Sequence, residues 1–241
     1  MPNELLWLIF LIVDFSLALL AIYFFGRKAL FVIIAADIIV CNIQVLKTVE
    51  IFGMVATLGN ILYGSIFLAT DLLGEAFGKK EARRGVWLGF FALLFMTISM
   101  QFALMFTPHE SDFIHQSLVN IFGLIPRVAF ASLIAYLTSQ FHDVWAFHFW
   151  KRKTKGKHLW WRNNASTWIS QAIDSVVFVL IAFYGVFETN VLISILITTY
   201  LMKVIIALLD TPVIYLGRLV LSKHIEKFGA DDDISAMKEN E

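Results

Sequence analysis

Basic residues recur in this chain in every second gap between long apolar blocks. Arg27 and Lys28 fill the first such gap. Lys79, Lys80, Arg83 and Arg84 fill the next. Lys151, Arg152, Lys153, Lys155, Lys157 and Arg162 fill the third, and Arg218, Lys223, Lys227 and Lys238 follow the last block. These account for sixteen of the nineteen Lys and Arg residues; Lys47 alone occupies an intervening gap, and Arg127 and Lys203 lie inside blocks. Cationic loops stay on the cytoplasmic side of a membrane. The arrangement that fits is seven spans, with the N-terminus outside and the C-terminus in the cytoplasm.

The expected spans are Leu5 to Phe25, Ala29 to Leu46, Ile51 to Leu73, Gly85 to Phe106, Phe113 to Thr138, Ala165 to Phe187, and Val191 to about Leu221. Only 16% of the 241 residues are charged, against about 25% in a soluble domain. The fold class expected is an all-α integral membrane protein. Pro126 predicts a kink in span 5, and Pro212 a bend or division of span 7. Gln140 to Asn164 reads as a cytoplasmic loop, and its tryptophans as an interfacial belt. The acidic tail from Ala230 is expected to fray. Gly85-x-x-x-Gly89 fits a close helix contact, within one chain or between two in a homodimer.

Polar side chains inside these spans carry the functional argument. Span 3 holds Asn60 and Asp71; span 6 holds Gln171 and Asp174; span 2 holds Asp37, Asn42 and Gln44. An isolated charge at mid-bilayer costs at least ~3 kcal/mol, so such groups pair or face a polar hollow. By position, Asn60, Arg127 and Lys203 lie near mid-bilayer. A structural reading has Arg127 or Lys203 clamping helices through Asp37, Asp174 or Asp210. Asp71 and Glu75 can be neutralised by Lys79, Arg83 and Arg84. Asp14 reads as a helix contact. The number of such groups favours a site between spans 3 and 6. Carboxylates and amides can take the N–H and carbonyl edge of a flat heterocycle, as they do base edges, and aromatic faces can stack on it.

Other classes find little. One cysteine, Cys41, excludes an internal disulfide and a multi-cysteine metal site. Gly74 to Lys80 has the wrong spacing for a phosphate loop, and no Ser or Thr follows the lysine. His109, Glu110, Asp112 and His115 match no standard metal site. No nucleophile–base pair is legible, so no enzyme, cofactor or metal is expected. The basic, Trp-rich loop sits between two spans, so nucleic acid is not expected as a partner; membrane lipid is.

The run Ile66-Phe67-Leu68-Ala69-Thr70-Asp71, with Gly78 and Ala82-Arg83-Arg84, resembles the signature of the queuosine precursor transporter family, also called the VUT or YhhQ family. Asn42, Arg127, the Ala165-Ser166-Thr167 to Asp174-Ser175 run, and Lys203 extend the resemblance over about residues 29–221. It implies import of a 7-deazaguanine base (preQ0, preQ1 or queuine) across the bacterial inner membrane for queuosine in tRNA. It also implies a six-span core, residues 29–229, similar to the substrate-binding subunits of energy-coupling-factor transporters. Residues 1–28 would be an extra helix and flank, and 230–241 a tail. The substrate contacts expected are Asn42, Asn60, Asp71, Gln171 and Asp174, with Arg127 and Lys203 balancing charge. A rival expectation is a capture subunit that needs a separate ATPase.

Overall fold

The computed structural model describes residues 1–153 and 159–228, which are mostly helical. The order is α1 (Asn3–Phe25), α2 (Arg27–Gln44), β1 (Thr48–Ile51), β2 (Met54–Thr57), α3 (Asn60–Phe77), α4 (Lys79–Met105), α5 (His115–Phe122), α6 (Ile125–Lys153), α7 (Leu159–Phe183) and α8 (Thr189–Phe228). Among the described residues, four segments are long and apolar enough to cross a membrane: Asn3–Phe25, Lys79–Met105, His115–Ser139 and Thr189–Ile206. α2 and α3 have 18 residues each, about 27 Å of rise, and both carry charge.

Several expectations change. The fold is not purely helical: the first part of expected span 3 is an antiparallel hairpin, β1 pairing with β2 in a register that sets Ile51 opposite Met54. Phe52 and Gly53 turn it with φ of 52° and 72°, as a two-residue hairpin turn of the right twist requires. Asn60 therefore starts α3 rather than lying midway along a helix. Span 5 breaks at Gly123–Leu124, ahead of Pro126, because proline is tolerated in a helix's first turn. Much of the expected loop from Gln140 is helical, extending α6 and beginning α7. α8 runs 40 residues through Pro212 without division. The tail from Ala230 and the side chains of Arg162, Asn163, Asn164 and Asp210 lie outside the described residues.

One apolar core joins α1, α2, α3 and α8 through Leu11, Phe15, Leu30, Ile34, Leu68, Leu72 and Ile206. A second joins α6, α7 and the start of α8 through Val128, Ala131, Val179, Phe183 and Ile195. α1 docks by apolar contact and by a hydrogen bond from Ser65 to the buried Asp14 carboxylate. Gly85 and Gly89 let α4 lie on α2: a Cβ at Gly85 would come within 2.7 Å of Ile34. The Gly-x-x-x-Gly pair is thus used inside the chain.

Candidate functional site

A cavity of about 710 Å³ opens between the two cores, within the usual range of ligand pockets. α3 supplies one wall by helical spacing. Asn60, Tyr63, Phe67, Thr70, Asp71 and Gly74 fall on one stripe and line it, while Ile61, Leu68 and Leu72 of the same helix are buried. Asn42 comes from α2, Ser132 and Tyr136 from α6, Asp174 and Phe178 from α7, and Thr199 and Lys203 from α8.

The hairpin closes one end. Val55 donates its N–H to Ser194 Oγ at 3.0 Å, and its carbonyl accepts from Thr198 Oγ1 at 3.0 Å. Gly59 permits the turn into α3. Its φ is 96° and a Cβ there would lie 2.7 Å from the Cys41 carbonyl oxygen, so a larger residue is doubly opposed. Asn60 Nδ2 then donates to the Thr57 carbonyl at 3.0 Å. The other end reaches the basic turn, where the lining residues Asp71, Glu75, Lys79 and Arg83 are exposed.

The deepest polar groups of the cavity are buried. Asn42 is 4% exposed, Asp174 4% and Thr199 3%. Asn42 donates to the Ile38 carbonyl at 2.6 Å and accepts from Ser132 Oγ at 2.7 Å, tying α2 to α6. Lys203 Nζ bridges to Asp174 Oδ2 and lies 4.5 Å from the Tyr63 ring centroid. Bridge and ring together compensate an ammonium that would be costly alone. Thr199 Oγ1 is buried with no hydrogen-bond partner among the described residues.

Five of the seven residues singled out in the sequence line this one cavity: Asn42, Asn60, Asp71, Asp174 and Lys203. Gln171 does not; its Oε1 is buried without a hydrogen-bond partner among the described residues. Nor does Arg127. It donates to the carbonyls of Ile181 and Tyr184, both at 2.6 Å, neutralising the free carbonyls at the C-terminus of α7. Its charge balances a helix end, not a cavity acid. Glu75 pairs with Arg218 at 2.9 Å and Arg84 with Glu81 at 2.5 Å, so Arg84 is held by its own glutamate, and among the described residues Asp71 forms no ion pair. Asp112 Oδ1 accepts from the N–H groups of Ile114 and His115 and caps the start of α5.

Sequence reading missed Tyr63, Ser132, Tyr136, Phe178 and Thr199. Tyr63 and Phe67 follow Asn60 at i+3 and i+7, a signal that was available. Ser132 and Thr199 gave none, because a hydroxyl in a helix can satisfy itself on a preceding carbonyl.

Residues 57–217, α3 to most of α8, match the family described as "Putative vitamin uptake transporter". The chain belongs to this family. It is 43% identical over 222 residues to a "Probable queuosine precursor transporter" of Bacillus subtilis (strain 168), covering 92% of this chain and 97% of the relative. It is 27% identical over 200 residues to a "Queuosine precursor transporter" of Escherichia coli (strain K12), covering 82% and 87%. No solved structure matches the chain. As a member of the vitamin uptake transporter family, the protein is a multi-pass membrane transporter of a small molecule, not an enzyme.

Proposed function

We propose that this chain imports 7-deazaguanine precursors of queuosine, and that the cavity between α3 and α7 binds them. The observation that carries this reading is the cavity lining: an amide, hydroxyls, a carboxylate and an ammonium interleaved with Tyr and Phe rings. Such a wall can grip a flat, hydrogen-bonding ring by edge and face. The relatives are named for queuosine precursors, and a 7-deazaguanine ring suits that wall. Asn42, Asn60 and Asp174 contact the base, Lys203 neutralises Asp174 while the cavity is empty, and Asp71 acts at the mouth. Gln171 and Arg127 drop out of the contact set.

The reading includes seven crossings in the bacterial inner membrane, with the termini placed as the basic gaps require. α2, α3 and α7 cross as the more polar members, a plan similar to energy-coupling-factor substrate subunits. Hydrogen bonds from Asn3 to the Glu50 carbonyl and from the Phe52 N–H to Glu4 support placing the N-terminus and hairpin on one side. The rival, a capture subunit dependent on an ATPase, draws no support from the relatives. A homodimer finds none in Gly85 and Gly89, which pack against Ile34 of the same chain.

Cells unable to make the base, supplied with preQ0, preQ1 or queuine, test the proposal. Queuosine in their tRNA should depend on this chain and fall sharply with Asp174→Ala. Undiminished queuosine in the variant, at equal protein level, would refute the site.

A further inference from the structure

We propose that Lys203 and Asp174 together read a lactam edge: Lys203 donates to the ring carbonyl, and Asp174 accepts from the adjacent ring N–H and exocyclic amine. This deepens the reading above and rests on it. It assigns Lys203 a recognition role where charge balance alone was expected.

The argument starts from hydrogen-bonding capacity. An ammonium has three donors, and a carboxylate about four acceptor sites on two oxygens. The bridge between them engages Lys203 Nζ and Oδ2 of Asp174, and the Tyr63 hydroxyl bonds the same carboxylate, which leaves donors on the one and about two acceptor sites on the other for a ligand. Both residues line the cavity at its buried depth, with side chains 8% and 6% exposed. Tyr63 offers a ring face at the same place. A donor beside a two-oxygen acceptor complements an acceptor beside two donors. A 2-amino-6-oxo ring presents that order: carbonyl, ring N–H, amine. A 6-amino ring presents one donor and one bare nitrogen, and leaves a buried carboxylate oxygen unmatched. Buried polar groups left unpaired are what reject a near-isosteric ligand. A bidentate match of this kind discriminates by roughly 1–3 kcal/mol, which corresponds to about 5- to 150-fold in Kd.

The test is equilibrium binding of three bases, 7-deazaguanine, 7-deazahypoxanthine and 7-deazaadenine, to the full chain in lipid nanodiscs. Wild type should bind them in that order, with the adenine analogue weaker by about 10- to 100-fold. Asp174→Asn combined with Lys203→Met leaves no lone buried charge, and should bring the three affinities within about threefold of one another. A spectroscopic reading needs no variant. The infrared band of 7-deazaguanine carrying ¹³C at its carbonyl should fall in frequency on binding wild type, because an ammonium donor is stronger than water. An unshifted band, equal affinities in wild type, or a preference surviving in the double variant overturns this inference alone. Failure of wild type to bind any of the three bases overturns it together with the transport reading.

Discussion

Asp174 and Asp71 line one cavity under opposite conditions. Asp174 is 4% exposed and bridged to Lys203; Asp71 is exposed and has no ion pair among the described residues. The difference follows from depth. At the hairpin end the wall excludes water, so a carboxylate persists only with a partner. At the basic end water solvates the charge, and a partner adds about 0–1 kcal/mol at most. A group that is already desolvated and held in place can select a ligand. A solvated one can attract it but discriminates little.

That contrast can be broken from its deep side first. Asp174→Ala should abolish uptake. It should also destabilise the fold by about 3–5 kcal/mol, since it leaves the Lys203 ammonium buried and unpaired; thermal unfolding in detergent reads the loss. Ser132→Ala should weaken substrate binding less, by about 1–3 kcal/mol, because the Asn42 carbonyl loses its donor and the amide its orientation; binding isotherms check this. Arg127→Gln sharpens the contrast from outside the cavity. It should lower stability by about 1–2 kcal/mol through the α7 C-terminus, with Kd unchanged per folded molecule. Asp71→Asn should have the smallest effect, altering uptake rate by about threefold or less, and less again in high salt, as expected of an exposed charge. Should Asp71→Asn match Asp174→Ala in uptake lost, depth would not be what separates the two acids.

How far the sequence reached follows the same line. The α3 stripe was legible because polar groups in an apolar helix recur at helical spacing, and lipid leaves them few places to face. Lys203 was expected to find an acid, but three carboxylates were open to it; only the packing of α7 on α8 chose Asp174. Arg127 was misread because a cation in an apolar block has two solutions, an acid or a helix C-terminus, and sequence does not separate them. The hairpin was hidden because Ile51 to Leu73 is nearly unbroken in hydrophobicity. Its turn uses Phe52-Gly53 rather than the Asn-Gly or Asp-Gly that announces such a turn.

α8 has 40 residues, a rod about 60 Å long, or twice the thickness of a hydrocarbon core. Ser194 and Thr198 near one end fasten the hairpin, Lys203 holds Asp174, and Arg218 further along ties to Glu75. A stiff shaft cannot shift its middle without shifting what is bolted to its ends. Whatever pries Lys203 away from its acid therefore strains the hairpin latch and the Glu75 tie in the same stroke.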